Sequence, residues 1–599
     1  MNKSGLAKLH KLADEEKFEA MEALARKFIK ADKKDGKAWK ALGMALECQK
    51  KDSLPTMKQA IKLLPSDPQA YFNMGNALKW HNQKEQAVVY YKRALQLKPD
   101  YAEAWCNLGN SLQQTGEPYE ALKAYWQGIK LAPQLVNIQL NMGNCYLAIG
   151  QHARAIRMYT MSLEIEPTFI EAQNAIIFAR DLLDGQTLAT ALKDRTDWAV
   201  KFADPLLDKT PHLNDPDPER RIRVGYVSAD FREHSAARSC GALFKYRDRE
   251  RFELFAYTTT WRDPDHYTEM FRNAVDHWTR VTELTEDEFA EVVRRDQIDI
   301  LVDLSGHSGG NRLLTFARKP APIQCTGWGY ATGTGMQAMD VLFADEICLP
   351  KHEQKFYVEK IAYLPCIDVP YWVETWPEVG PLPAAKDGIL TFGSLNRMAK
   401  VTTATLDLWA KVLLAVPKSG FLMKAGEFGE ESARERMKKE FVSRGVDADR
   451  LMLVGPSSWL DHMSAYQQID ICLDTLPQGG GVTTLEGVMM GVPVVTLRWP
   501  TLSGRVSASI LTNLGMAGWI ADTPEQYVEI AVREASDFER LAELRAVMRQ
   551  EFQRTIGDGP AAARGVEAHY RRLWREWCEK QAAEPVFDKS EKEAHVAAH

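Results

Sequence analysis

Short apolar runs alternate with segments of helical composition through the last two thirds of the chain. One of these helices is predicted from Thr285 to Arg295, because Thr285 and Glu288 have the spacing of a capping box. Alternating strands and helices favour mainly parallel sheets. We therefore predict two doubly wound α/β lobes, residues 219–380 and residues 381–560, with a ligand cleft at the carboxyl ends of their strands. The apolar runs are "RVGYVSADF", "FELFAYT", "IDILVDLSG", "PIQCTGWG" and "VLFADEI" in the first lobe, and "GILTFGSLNR", "GFLMKAG", "RLMLVGP", "DICLDTL" and "VPVVTL" in the second.

The first 175 residues show a different pattern, a repeat with a period of 34 residues. In such a unit a glycine lets two helices pack closely, and a proline ends the second helix. The period is typical of tetratricopeptide repeats, whose helix pairs must stack because one pair cannot bury its apolar face alone. We therefore predict a tetratricopeptide-repeat superhelix over residues 1–175. The repeating positions are Pro65, Pro99, Pro133 and Pro167, and Gly75, Gly109 and Gly143.

Three asparagines, Asn73, Asn107 and Asn141, lie in register on the first helices of successive repeats. An amide offers a donor and an acceptor together, so a ladder of amides suits an extended peptide backbone of any sequence. The alternative is that asparagine is simply a common residue at this position of the repeat. The ladder is our candidate binding site for a protein partner.

Two further segments lie outside these domains. Residues 176–218 are predicted to be a linker, because the polar, proline-rich stretch "DKTPHLNDPDPERRIR" begins within them. At the other end, residues 561–599 are predicted to form an amphipathic helix, from Ala561 to Lys580, followed by a disordered polar tail.

Composition excludes several classes of function. The net charge of −6 argues against nonspecific nucleic-acid binding, which needs a basic face. The nine cysteines form no C-x-x-C pair, so neither a disulfide framework nor a zinc site is indicated. The charged N-terminus lacks an apolar signal segment, and no run of eighteen apolar residues exists. We predict a cytoplasmic protein without membrane insertion.

The stretch "LPQGGGVTTLEG" lies between a predicted strand, Ile471 to Leu473, and a predicted helix beginning near Thr483. Backbone N–H groups and a helix N-terminus can bind an anion in such a turn. The alternative is a tight turn that needs glycine for a positive φ angle. The candidate anion-binding residues are Gly480, Gly481, Thr483 and Thr484.

Other polar residues follow the ends of predicted strands. Asn396, Arg397 and Lys400 follow the first strand of the second lobe, where cationic groups suit a phosphate or pyrophosphate. The alternative is that Arg397 and Lys400 are only solvent-exposed side chains at the edge of the cleft. His234 follows the first strand of the first lobe, and His307 follows a later one. A single histidine is more often an ordinary surface or core residue, but a position after a strand end favours a place in the active site for both.

The glycine stretch has further polar neighbours. His462 and Asp474 lie close to it in sequence, and Glu486 lies one turn into the predicted helix. Glu486 is a candidate acceptor for ribose hydroxyls, as acids are in nucleotide-binding folds. Its alternative role is to complement the helix dipole. No G-x-x-x-x-G-K-[ST] motif and no G-x-G-x-x-G after the first strand exist, which argues against a P-loop enzyme and a nicotinamide enzyme.

Taken together, these motifs resemble the O-linked N-acetylglucosamine transferases, glycosyltransferase family 41, over nearly the whole chain. "RVGYVSADFREH" is similar to the first catalytic motif of that family. "KPAPIQCTGWGYATGTGMQAMDVLFAD" and "TLSGRVSASILTNLG" resemble two further segments of it. The resemblance implies tetratricopeptide repeats followed by a GT-B fold of two Rossmann-like domains, and an inverting transfer of a sugar, with no metal and no other cofactor.

The resemblance also implies residue roles. "LNRMAKVT" is similar to the segment whose lysine, here Lys400, neutralises the diphosphate of the donor. His462 corresponds to a histidine that stacks on the base, and the glycine stretch to the diphosphate loop. His234 corresponds to a histidine that acts as general base or positions the acceptor. This chain departs from the eukaryotic members, with Gly481 and Val482 before Thr483 in the loop, Glu486 in place of an aspartate, and Arg397 in place of a glutamine.

Three functions therefore remain open. The first is a protein O-glycosyltransferase that uses UDP-GlcNAc and captures a protein acceptor through its repeats. The second is a flagellin glycosyltransferase with another nucleotide sugar, such as an activated nonulosonic acid, for which Arg397 is the relevant departure. The third is a catalytically inactive repeat scaffold. A homo-oligomer formed through the repeats also remains open.

Overall fold

The computed structural model describes residues 3–260, 262–367 and 375–583. The chain divides into two compact units. The first contains the residues up to Ala172 together with Gly426–Arg436, and the second contains Gln173–Ala425 and the residues from Met437 onward. The polar tail, predicted to follow Lys580, falls from residue 584 outside the described residues.

Successive helix pairs build the described part of the first unit. A glycine in the first helix of a pair meets a tyrosine in the second: a Cβ atom on Gly75 would lie 2.5 Å from the ring of Tyr91, and one on Gly143 would lie 2.3 Å from Tyr159. No larger residue fits there, which explains the glycine of each repeat. The helices are α1 (Lys3–Asp14), α2 (Phe18–Ala31), α3 (Gly36–Cys48), α4 (Leu54–Leu63), α5 (Pro68–Trp80), α6 (Lys84–Leu97), α7 (Ala102–Gln114), α8 (Pro118–Leu131), α9 (Val136–Ala148) and α10 (His152–Ile165).

The asparagine ladder takes part in a network inside the repeats. Asn107 Nδ2 donates to Asn76 Oδ1 at 3.0 Å, and this oxygen also accepts the Tyr91 hydroxyl at 2.7 Å. Asn141 repeats the arrangement one unit later, with its Nδ2 2.8 Å from Asn110 Oδ1. Asn73 Nδ2 is buried without a partner among the described residues, because the preceding repeat has a leucine at the equivalent position. The amide donors of Asn107 and Asn141 are therefore used within the array, and a role in acceptor binding stays a prediction.

The segment Gly426–Arg436 packs with the repeats of the first unit. Glu430 accepts the backbone N–H groups of Tyr119 at 2.9 Å and Glu120 at 3.3 Å, at the N-terminus of α8. Arg436 donates to the carbonyl of Ile149, just after α9, at 2.5 Å. A carboxylate at a helix N-terminus and a guanidinium at a helix C-terminus both complement the helix dipoles.

Much of the predicted linker, residues 176–218, is helical instead. It contains the end of α11 (Ile170–Arg180), all of α12 (Leu188–Trp198) and a short π-helical turn, Ala199–Ala203. Thr187 begins α12 with a capping box, and Trp198 is 3% exposed. Residues 181–187, between α11 and α12, and the residues from Leu207 up to the first strand of the sheet are free of helix and strand. The linker prediction relied on this proline-rich end and missed the helices before it.

The first lobe contains a seven-stranded parallel sheet with strand order β3-β2-β1-β4-β5-β6-β7. The predicted capping box is present, since Glu288 N–H donates to Thr285 Oγ1 at 3.2 Å. The strands are β1 (Ile222–Ser228), β2 (Phe252–Thr258), β3 (His277–Arg280), β4 (Ile300–Asp303), β5 (Ile323–Thr326), β6 (Val341–Ala344) and β7 (Lys360–Tyr363), with helices α13 (Ser235–Lys245), α14 (His266–Ala274), α15 (Glu286–Arg295) and α16 (Leu313–Ala317).

The second lobe contains a six-stranded parallel sheet with strand order β10-β9-β8-β11-β12-β13. The crossing order of both sheets is that of doubly wound folds. The strands are β8 (Leu390–Ser394), β9 (Ser419–Lys424), β10 (Leu451–Val454), β11 (Ile471–Leu473), β12 (Val494–Leu497) and β13 (Ile520–Ala521), with helices α17 (Ala384–Asp387), α18 (Thr403–Ala415), α19 (Glu431–Val442), α20 (Trp459–Ser464), α21 (Val482–Met489), α22 (Val506–Asn513), α23 (Pro524–Glu534) and α24 (Phe538–Arg554).

The last described helix, α25 (Gly559–Ala583), packs into the core of the first lobe. Its buried residues Val566, Tyr570 and Trp574 are four positions apart, which places them on one side of the helix. The Tyr570 hydroxyl lies 3.0 Å from that of Tyr226 in β1. The sequence predicted this helix but not that it packs into the first lobe. Because it shares the core of that lobe, it is part of it.

Candidate active site

The glycine stretch forms the turn between β11 and α21. The helix begins at Val482, one residue before the predicted start, and Gly481 precedes it with a φ angle of +55°. A Cβ atom on Gly480 would lie 2.5 Å from Thr484 Oγ1 and 2.7 Å from Thr483 Oγ1. Glycine is therefore required at both positions by backbone angle or by space. A valine at Gly481 would strain the backbone whether or not an anion binds, so that substitution cannot separate the two predicted roles of the turn.

Hydrogen bonds with the side chain of Ser507 hold the glycine loop. Ser507 Oγ accepts the N–H of Gly480 at 3.0 Å and lies 2.9 Å from Thr484 Oγ1. Asp474, which is 2% exposed, accepts the Thr496 hydroxyl at 2.8 Å, and burial raises the pKa of its carboxyl. Asp474 was predicted near the glycine stretch, and it lies buried beside the loop; a role in the active site stays a prediction. Ser507 was not predicted, because its distance in sequence gives no sign of this contact.

Lys400 lies directly beside the glycine loop. Its ammonium group donates to the carbonyl of Gly479 at 2.6 Å and to that of Gly480 at 3.3 Å. Lys400 ends a short 3-10 helix, Met398–Lys400, that follows β8. Asn396 is also at the loop, where its Oδ1 accepts the Thr483 hydroxyl at 2.9 Å. The structure thus brings together the predicted cation, the predicted amide and the predicted loop.

Glu486 forms the centre of a second polar group on α21. Its side chain is 4% exposed, and Tyr466 donates its hydroxyl to Glu486 Oε2 at 3.4 Å and to the carbonyl of Thr483 at 3.1 Å. His462 Nε2 lies 3.7 Å from the same carboxylate. Arg238, from α13 of the first lobe, lies 3.8 Å from Glu486 Oε1. Tyr466 and Arg238 were not predicted, since only the folded chain brings them to Glu486.

His234 caps the N-terminus of α13, on the first-lobe side. Its Nδ1 accepts the N–H of Ala236 at 3.3 Å and lies 3.3 Å from Asp230 Oδ2. The N–H of Ala236 favours a lone pair on Nδ1, whereas the carboxylate of Asp230, at the same distance, favours a proton there, so the contacts at Nδ1 do not fix the tautomer. With the proton on Nε2, the ring would offer an N–H donor there.

The surroundings of His234 disfavour its charged form. Burial lowers the pKa of His234 to about 4, and the positive charges of Arg232, Arg397 and Arg238 act in the same direction, while Asp230 opposes them. Arg397 is an exposed cation of the second lobe, and its charge lowers the pKa of this first-lobe histidine. The ring is consequently neutral at pH 7.

His307, the second histidine predicted for the site, is a buried residue. It is 1% exposed, its Nδ1 lies 2.9 Å from Asn174 Oδ1, and its Nε2 lies 3.0 Å from the carbonyl of Thr334. Burial lowers the pKa of its ring to about 3. Both nitrogens have protein partners, and the predicted role of His307 in the active site stays a prediction.

Within the described residues, no three His, Cys, Asp or Glu side chains are grouped so that they could hold a metal ion. The same part of the chain contains no helix with the length and apolarity needed to span a membrane. The site instead offers a lysine, a glycine loop at a helix N-terminus and a neutral histidine. This set suits a ligand with a phosphate or diphosphate group.

The catalytic lobes match a known family. Residues 205–369 and 382–556 match Glycosyl transferase family 41. The chain belongs to glycosyltransferase family 41. Residues 81–116 and 102–135 match tetratricopeptide repeats, so the predicted resemblance is confirmed for both parts of the chain.

Two curated relatives and one solved structure show the range of similar family 41 proteins. The Arabidopsis thaliana protein named probable UDP-N-acetylglucosamine–peptide N-acetylglucosaminyltransferase SPINDLY is 35% identical over 391 residues, which cover 64% of this chain and 42% of the plant protein. The Caenorhabditis elegans UDP-N-acetylglucosamine–peptide N-acetylglucosaminyltransferase is 24% identical over 476 residues, 60% of this chain and 41% of that protein. The chain spans less than half the length of these curated relatives.

A mutant of Thermobaculum terrenum O-GlcNAc transferase has been solved and superposes with a TM-score of 0.80. It is 33% identical, and the match covers 86% of this chain and 98% of that one. This similarity confirms the predicted architecture of tetratricopeptide repeats followed by two Rossmann-like domains.

Proposed function

We propose that this chain is an inverting protein O-glycosyltransferase that moves N-acetylglucosamine from UDP-GlcNAc to Ser or Thr of a protein acceptor captured by its repeats. The observation that carries the proposal is the position of Lys400, whose ammonium group lies 2.6 Å from the glycine loop at the start of α21. The names of the family 41 relatives support the donor. They give no support to flagellin as acceptor, to a nonulosonic acid as donor or to an inactive scaffold.

The donor diphosphate is proposed to lie between Lys400 and the first turn of α21. The N–H groups in the first turn of a helix have no partner within the helix, and its dipole favours an anion. Thr483 is held by Asn396, so its backbone is fixed before the donor arrives. Glu486 and His462, on the same lobe, are proposed to contact the ribose and the base.

In the proposed reaction, the acceptor hydroxyl oxygen forms a bond to the anomeric carbon on the side opposite the diphosphate. The bond between that carbon and the diphosphate oxygen breaks, and the diphosphate leaves with the bonding electrons. Lys400 and the loop amides stabilise the charge that develops there. The hydroxyl proton passes to solvent, because a ring with a pKa of about 4 accepts a proton poorly at pH 7.

His234 is therefore proposed to position the acceptor through its Nε2–H group. A ring whose pKa is about 4 is also a weak base at pH 7, where general bases work best with a pKa near the operating pH. Of the two roles predicted from the resemblance, positioning fits this structure better.

Nucleotide binding by calorimetry tests the proposed donor. We expect UDP to bind the full chain more tightly than GDP or CMP, because UDP-GlcNAc is the proposed donor. The Thr483→Val variant removes the hydroxyl bonded to Asn396 and should weaken UDP binding about tenfold, as expected for one hydrogen bond. Preference for CMP over UDP would contradict the proposed donor and favour an activated nonulosonic acid. A homo-oligomer through the repeats stays a prediction.

A further inference from the structure

A glycine-rich loop of the first lobe, residues 327–336, reaches the neighbourhood of His234. It follows β5, and its Gly329 lies close to the residue after β4 and to α13: a Cβ atom added there would lie 1.7 Å from the carbonyl of Leu304 and 3.7 Å from the Cβ of Ala236. Ala236 is the residue whose N–H binds His234. The position of the 327–336 loop therefore bears on the position of His234.

The 327–336 loop contains glycines with positive φ angles, and glycine backbone is intrinsically flexible. Gly333 and Gly335 have φ angles of +80° and +76°. Glycine reaches this region easily but loses much conformational freedom when it is held there. Other parts of the fold must therefore hold the loop.

Arg195, in α12, makes two of these contacts. Its Nε donates to the carbonyl of Gly333 at 3.1 Å, and its Nη2 donates to Thr332 Oγ1 at 2.8 Å and to Asp181. Its Nη1 donates to the carbonyl of Ala191 in its own helix at 3.1 Å. The residue is 3% exposed, so these bonds are shielded from water.

Asp181, just after α11, joins the same loop from the other side. It accepts bonds from Arg195 and from the hydroxyl of Tyr330 in the loop, and it is 8% exposed. The ring of Phe178 packs 4.9 Å from that of Tyr330. A buried ion pair is costly to desolvate and contributes little net stability, and in some proteins it specifies one conformation instead.

We propose that Arg195 and Asp181 are positioning residues of the transfer reaction, which hold the 327–336 loop, and through it the first turn of α13 with His234, in the geometry required for the acceptor. The proposal rests on the proposed function. It assigns α11 and α12, the segment predicted to be a linker, to the machinery of the site.

The test is the full-length Arg195→Lys variant. Lysine keeps the positive charge beside Asp181, so the chain should fold, but its single ammonium group cannot donate to Gly333 and Thr332 in the geometry of the guanidinium fork. We expect kcat for transfer to fall about tenfold, because small displacements near the reacting groups are costly. The affinity for UDP should stay unchanged, since the diphosphate site lies on the second lobe.

Arg220→Lys is the matched control. Arg220 binds Asp299 through two bonds of 2.7 Å, just before β1 and β4, at the amino ends of the strands and so at the opposite edge of the sheet. The same chemical change there should leave kcat unchanged. An Arg195→Lys variant with the kcat of the parent, or with no larger loss than Arg220→Lys, would overturn the proposal.

Hydrogen–deuterium exchange separates this proposal from the proposed function. Backbone amides of residues 327–336 should exchange faster in Arg195→Lys than in the parent chain, and residues 480–486 should not change. If the parent neither transfers nor hydrolyses a nucleotide sugar, the proposed function fails, whereas the exchange result still decides whether Arg195 holds the loop. Equal exchange in the two chains would overturn the positioning role.

Discussion

Replacing Lys400 by Met is expected to lower the rate of glycosyl transfer about 100-fold, while the chain remains folded. The ammonium group is the cation nearest the glycine loop among those described above, at 2.6 Å from the carbonyl of Gly479. Loss of a charge-assisted contact to the leaving diphosphate removes about 3 kcal/mol of transition-state stabilisation. The measurement is release of UDP from UDP-GlcNAc at saturating donor, with the melting temperature recorded for each chain.

Lys424→Met is the control for this experiment. Lys424 also donates to a backbone carbonyl of the second lobe, that of Gly455 at 2.7 Å, but it lies at the end of β9 rather than at the glycine loop. We expect this variant to keep the turnover of the parent. A Lys400→Met chain with near-normal turnover would show that Lys400 does not stabilise the leaving group.

Replacing His234 by Ala is expected to lower kcat for protein glycosylation about 100-fold, because the acceptor hydroxyl loses its positioning donor. Hydrolysis of the donor by water should fall much less, since water needs no positioning of a protein acceptor. His234 also caps α13, so a lower melting temperature is expected, and the ratio of the two activities is the informative quantity.

The pH dependence of the Arg397→Gln variant distinguishes positioning from base catalysis. Arg397 lowers the pKa of His234, so its removal moves that pKa upward from about 4, towards the ordinary value. A base loses activity when it is protonated, and the variant would then lose activity at a higher pH than the parent. A donor at Nε2 works in both charge states, so we expect no such shift. Arg397→Lys, which keeps the charge, is the control, and a shift confined to Arg397→Gln would establish a base.

The sequence predicted those parts of the fold whose cause is local or periodic. One contact, glycine against tyrosine, recurs with the 34-residue period in three successive units, at Gly75, Gly109 and Gly143. The strand β11 was predicted with the bounds that it has, because it is a short apolar run before turn residues. The glycine loop was found because glycine is required there by φ at Gly481 and by space at Gly480.

The errors concern contacts between residues distant in sequence. His307 was chosen because it follows a strand and Asp474 because it lies near the glycine stretch, and neither criterion predicts that both side chains are buried. The linker prediction relied on the proline-rich residues near 204–218 and therefore missed α11 and α12. The buried ion pair of Arg195 and Asp181 follows no sequence pattern that could have predicted it. Tyr466, Arg238 and Ser507 escaped prediction for the same reason.

The central claim is most directly tested by mass spectrometry of peptides from cells that express the full chain. We expect Ser and Thr peptides to gain the mass of one N-acetylhexosamine residue. The Lys400→Met chain should add none. A chain without residues 1–169, which keeps α11, should release UDP but leave proteins unmodified. Peptides that gain the mass of a nonulosonic acid would contradict the account. Peptides that gain no mass at all would contradict it as well.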